Sequence, residues 1–120
     1  MKQFRSEEQQ QSIEAFQSII RKSENALARM NPGTPQTNLL EKRLNAARIG
    51  EEILHARWEG KELAVSKDEL MAAKEVLEGL LLMLPSFLEK TKTGSGQRTY
   101  IERRIKAFQT AVSYLDNESN

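Results

Sequence analysis

Cysteine is absent, and histidine occurs once, at position 55. Without thiols there is no disulfide framework and no thiolate metal site, which points to a cytoplasmic protein. No apolar run is longer than Leu80 to Leu84, far short of the roughly 20 residues a bilayer-spanning helix needs, so no membrane partner is expected. The first residues, Met1 to Ser6, lead straight into Glu and Gln and carry no signal-peptide core. No excess charge of one sign is present either. Eighteen basic residues stand against 17 acidic ones, which gives no global pull toward nucleic acid. Aromatic residues make up only 6% of the chain and proline occurs three times, while 29% of the residues are charged. That balance suits amphipathic helices better than strands.

What is present is a stretch used twice. Gly33-Thr-Pro-Gln36-Thr-Asn-Leu-Leu-Glu41-Lys-Arg43-Leu-Asn-Ala46 recurs as Gly94-Ser-Gly-Gln97-Arg-Thr-Tyr-Ile-Glu102-Arg-Arg104-Ile-Lys-Ala107, every position displaced by 61. Gly, Gln, Glu, Arg and Ala recur identically, and several neighbours recur in kind. A fixed internal period sets the architecture before any other signal. The expectation is two tandem-duplicated helical hairpins, one over about 6–59 and one over about 66–116, within a single domain of residues 1–120.

Four capping boxes mark helix starts: Ser6 with Gln9, Asn38 with Glu41, Ser66 with Glu69, and Thr99 with Glu102. Helix one is predicted from about Glu7 to Arg29, with Ile13, Phe16, Ile20 and Leu27 on one face and Ser23 interrupting the seam. Helix two is predicted from about Leu39 to Trp58 through Leu40, Leu44, Ala47 and Leu54, with Gly60 at its end. Helix three is predicted from about Lys67 to Thr91 through Leu70, Ala73, Leu77, Leu81, Leu84 and Leu88, with a kink at Pro85. Helix four, from about Tyr100 to Leu115, carries Ile101, Ile105, Phe108 and Val112, and Asp116 to Asn120 reads as a frayed tail. Short loops make this an all-α, up-down-up-down four-helix bundle. A six-residue linker reaches about 20 Å, against about 30 Å for a 20-residue helix. Both glycine loops are therefore expected at the same end. Ala46 and Gly50 match Ala107 and Ala111, marking where helices approach closely.

Three features bear on function. Glu52 and His55 form an E-x-x-H pair, the spacing that di-iron bundles use twice over. The second copy has Ser113 and Asp116 there, so ligand count excludes such a site within one chain, and neither metal nor cofactor is expected. Basic residues gather at the loop tips, with Arg43, Lys92, Arg98, Arg103 and Arg104 as the candidate anion-binding end and Tyr100 available to stack on a base. Lys90 and Lys92 serve equally as counter-charges for a helix C-terminus. Finally, Val76, Leu80, Met83 and Phe87 form an extra apolar stripe on helix three. It is either additional core or an interface for a protein partner or a second copy of the chain. No nucleophile-base set and no P-loop accompany the glycine loops, so no enzyme is expected. Gln36 and Gln97 are read as loop residues bonding to exposed backbone.

The pattern Gly-Thr-x-Gln followed by Leu-Leu-x-x-Arg-Leu-x-Ala is carried by Gly33, Thr34, Gln36, Leu39, Leu40, Arg43, Leu44 and Ala46. It is echoed by Gly94, Ser95, Gln97, Ile101, Arg104, Ile105 and Ala107. It resembles small uncharacterised helical-hairpin proteins of Gram-positive bacteria and their phages. The resemblance implies an origin, a hairpin that dimerises and is here fused to its copy, and no activity. The sequence thus favours a non-enzymatic protein-interaction or regulatory module that self-associates, with nucleic-acid or polyanion binding at the loop-tip end as the alternative.

Overall fold

A computed structural model describes residues 6–119. It contains α1 (Glu7–Leu27), α2 (Pro35–Glu59), α3 (Lys67–Glu89) and α4 (Gly96–Ser119), with no strand among the described residues. The expected four-helix bundle is present.

The start of α1 follows the sequence signal. The Gln9 N–H donates to Ser6 Oγ at 3.1 Å and the Ser6 N–H donates to Gln9 Oε1 at 3.2 Å. Such a cap contributes about 1 kcal/mol, and Glu7 and Glu8 complement the helix dipole. Ser66 opens α3 by accepting from the Glu69 N–H at 3.2 Å. Its box is only half closed, because Glu69 Oε1 takes the Ser66 hydroxyl at 3.1 Å.

The two boxes expected at Asn38 and Thr99 do not form. Both helices start four residues earlier. Thr34 caps α2, accepting from the Thr37 N–H at 3.1 Å, and Pro35 occupies the first turn. Proline is suited to that position, where its missing N–H costs nothing and its φ is already helical. Ser95 caps α4 in the same way, accepting from the Arg98 N–H at 3.1 Å. Asn38 and Thr99 are then ordinary helical residues whose N–H groups bond to the Thr34 and Ser95 carbonyls. Gln36 and Gln97 consequently lie exposed on first helical turns and not in the loops. Gly33 and Gly94, one residue before each cap, have φ of 84° and 81°, a conformation glycine adopts without strain.

The far ends also differ from expectation. α3 runs through Pro85, as expected, and ends at Glu89, two residues before the expected Thr91. α4 extends to Ser119, and its Asp116 accepts from Lys74 Nζ of α3 at 2.7 Å, so residues 116–119 are no frayed tail. Asn120 lies outside the described residues.

The core combines Ile13 and Phe16 of α1, Leu44, Ile53 and Leu54 of α2, Leu70, Leu77 and Leu84 of α3, and Ile101, Phe108 and Leu115 of α4. Neighbouring helices pack around the bundle in chain order, and α4 closes on α1. Across the diagonals the arrangement is unequal. α2 and α4 approach each other directly, whereas no Cα of α1 comes within 8 Å of α3. Small side chains explain it. Ala46, Ala47, Ala107 and Ala111 are all but fully buried, as the matched small residues predict. Gly50 leaves room for the Phe16 ring, since a Cβ there would sit 2.5 Å from Phe16 Cε1. Phe16 in turn lies 5.4 Å from Phe108, centroid to centroid. Closing one diagonal of a four-helix array opens the other, which leaves a cleft between α1 and α3.

Candidate anion site

That cleft opens near the loop end, and residues of all four helices line it. Ile19, Lys22 and Ser23 come from α1, Leu40 and Arg43 from α2, Leu80 and Leu84 from α3, and Arg104 and Phe108 from α4. Its volume is about 290 Å³. The C-terminal turns of α1 and α3 thus meet the N-terminal turns of α2 and α4, so both glycine loops lie at one end, as the linker length predicts.

Tyr100 organises the rim. Its phenol oxygen lies 2.7 Å from Ser18 Oγ and accepts from Lys22 Nζ at 2.9 Å and from Arg104 Nη2 at 2.7 Å. Burial raises the phenol's affinity for its proton. The hydrogen bonds from Lys22 and Ser18 and the adjacent Arg104 charge outweigh it and hold the pKa at about 8, well below the usual tyrosine value. Two cations sharing one phenol oxygen favour its anionic form. At about 8 the phenol is still mostly protonated at neutral pH, so it gives the two cations an acceptor and not a full counter-charge.

On the other side of Tyr100, Arg21 and Arg103 line a second hollow of about 440 Å³ together with Glu14, Gln11, Gln17 and Ser18. Arg21, Lys22, Arg43, Arg103 and Arg104 thus line the two hollows, and none of them is ion-paired with an acidic side chain among the described residues. Some cations elsewhere are ion-paired: Arg48 with Glu24 at 2.7 Å, Lys74 with Asp116 at 2.7 Å and Lys106 with Glu8 at 2.9 Å.

The five residues expected to form an anion-binding end are therefore divided. Arg43 and Arg104 share the cleft, and Arg103 lies just beyond Tyr100. Arg98 has a structural task, donating to the Leu88 carbonyl at 3.0 Å and pairing with Glu102 at 3.7 Å. Lys92 is exposed on the loop and lines neither hollow. Sequence reading overlooked Lys22, Arg21 and Ser18, because α1 contributes them from a helix face and not from a loop tip. The signal was available: Lys22 falls 61 positions before Met83, a residue of the apolar stripe.

That stripe divides as well. Val76 and Leu80 are partly buried against the core, whereas Met83 and Phe87 are each 46% exposed. Leu82 beside them is 85% exposed. His55 faces Glu51 and Glu59, one turn to either side, and not Glu52. Among the described residues no group of three His, Asp or Glu side chains is placed to hold a metal ion. No helix there is long and apolar enough to cross a membrane. Compared with protein-family models, with curated proteins and with solved structures, the chain shows no significant match.

Proposed function

We propose that this chain is a non-enzymatic binding module of the cytoplasm whose ligand is anionic and docks at the loop end. One observation carries the reading: five cations from three helices line the two neighbouring hollows at this end, and none of them is ion-paired among the described residues. Gathering like charges costs free energy unless something of opposite sign compensates, and the tyrosine supplies only part of that. The chain as a whole is nearly neutral, so a preference for an anion has to be local. The second copy of the hairpin contributes Tyr100, Arg103 and Arg104, which fits the fused-duplicate origin.

The test is retention on heparin across a salt gradient. Arg43→Glu with Arg103→Glu is expected to weaken retention on the order of tenfold, because exposed charge contacts act largely through long-range attraction. Both residues are free of structural bonds, unlike Arg104. Lys61→Glu with Lys67→Glu, at the opposite end, is expected to change retention little. Equal loss in both double variants would reduce the effect to net charge and end the reading.

A second reading has its own observation. Leu82, Met83 and Phe87 leave an exposed apolar patch on the second half of α3, which suits a protein partner or a second copy of the chain. Self-association through it predicts a dimer by light scattering that Met83→Asp with Phe87→Asp converts to a folded monomer. A wild-type mass of 13.7 kDa at every concentration would exclude the homodimer.

A further inference from the structure

Ser23 occupies a core seam position. It is 6% exposed, and its hydroxyl has no hydrogen-bond partner among the described residues. It faces the cleft between α1 and α3. Its counterpart in the second copy is Leu84, which also lines that cleft. The buried polar atom left without a partner there is Arg104 Nε. Buried polar groups are almost always paired, because a hydrogen bond left unmade away from water is costly. Arg104 Nε, with the Ser23 hydroxyl on the same cleft wall, marks a place where a polar group of a ligand can pair. The remaining walls are apolar: Ile19, Leu40, Leu80, Leu84 and Phe108. Lys22, Arg43 and Arg104 supply the positive charge, and Arg43 makes no bond of its own.

From this arrangement we infer that the cleft binds a single-chain amphipathic oxyanion, with its head group between Lys22, Arg43 and Arg104 and its short apolar chain against Leu80, Leu84 and Phe108. This inference rests on the loop-end reading above and names the ligand class for it. Carboxylate and phosphate heads share the needed chemistry, an oxyanion that accepts from a guanidinium in a forked manner. The cleft's 290 Å³ limits the tail to a short chain. A bulky double-chain lipid does not fit. Each buried methylene is expected to tighten binding by about three- to fourfold.

The experiment is titration calorimetry of the full chain with octyl phosphate below its micellar concentration, beside octanoate, inorganic phosphate and octyltrimethylammonium. The expected result is one site per chain for octyl phosphate, at least tenfold tighter than inorganic phosphate, with octyltrimethylammonium not binding. Octanoate binding as tightly would assign the head to a carboxylate as readily as to a phosphate. Octanoate failing would assign it to a phosphate. Ser23→Leu, which installs the residue of the second copy and fills the cleft, is expected to keep the helical circular dichroism. It should raise the thermal midpoint and lose at least tenfold in affinity while heparin retention persists. Arg43→Ala is expected to lose similar affinity without touching the core.

Octyl phosphate binding no tighter than inorganic phosphate, with heparin retention intact, would overturn the inference and leave the loop-end reading standing. Failure of every anion, heparin included, would overturn both. Binding of octyltrimethylammonium as tight as that of octyl phosphate would remove the cations from the account. Unchanged affinity in Ser23→Leu would place the site elsewhere. Binding confined to vesicles of anionic phospholipid would make the ligand a membrane surface and would also overturn it.

Discussion

Phe16→Ala is expected to cost about 3–5 kcal/mol of folding stability, read as a lower urea midpoint at unchanged slope. The ring is fully buried. It packs against Phe108 from the opposite hairpin and fills the space that Gly50 leaves on α2. Truncation removes apolar burial, a ring-to-ring contact and the wedge that joins three helices at once. The surrounding alanines are too small to fill the void, so little relaxation offsets the loss. Against a total stability of about 5–15 kcal/mol for a domain of this kind, that loss is a large share. A loss below about 1 kcal/mol would mean that the ring is not the wedge described.

Gly50→Ala is expected to destabilise the bundle even though it improves helix propensity. In an exposed helix interior the change gains about 1 kcal/mol. Here the new Cβ would lie 2.5 Å from one ring carbon of Phe16 and 2.6 Å from the next. Phe16 has no free volume to enter, and overpacking of this kind costs about 1–3 kcal/mol. The steric term wins. The sign should reverse in a Phe16→Leu background, where the ring edge is gone and only the propensity gain remains. Urea denaturation of the four proteins in this double-mutant cycle reads the coupling directly. Stabilisation by Gly50→Ala in the wild-type background would sink the close-approach account.

These predictions rest on the contacts of one ring, whereas several positions 61 apart are alike in local structure. Thr34 and Ser95 both cap, Gly33 and Gly94 both adopt positive φ, and Leu54 and Leu115 are both fully buried. The placement of the caps was legible in the repeat, yet the nearby S/T/N-x-x-E spacings at Asn38 and Thr99 drew the helix starts four residues too late. The cap nearest the glycine won, because a helix begins as soon as one side-chain oxygen satisfies its first free N–H groups. A later candidate then has no orphan amide to serve. Ser6 and Ser66 had no rival upstream among the described residues and were read correctly.

The sequence by itself determined the number of helices, their apolar faces, the small residues of close approach and the shared end of the two loops. Each depends on periodicity or on chain length, which are properties of neighbours along the chain. Only the tertiary structure decided which cations share a site. Lys22, Arg43 and Arg104 lie on three helices, and nothing in their spacing ties them to one cleft or separates them from Arg98, which is spent on a helix end. The tertiary structure also divided the α3 stripe, burying Val76 and Leu80 in part and leaving Met83 and Phe87 outside. The physical reason is common to both. Small residues let α2 and α4 meet across the diagonal, and that one contact opens the cleft between α1 and α3 and fixes what faces it.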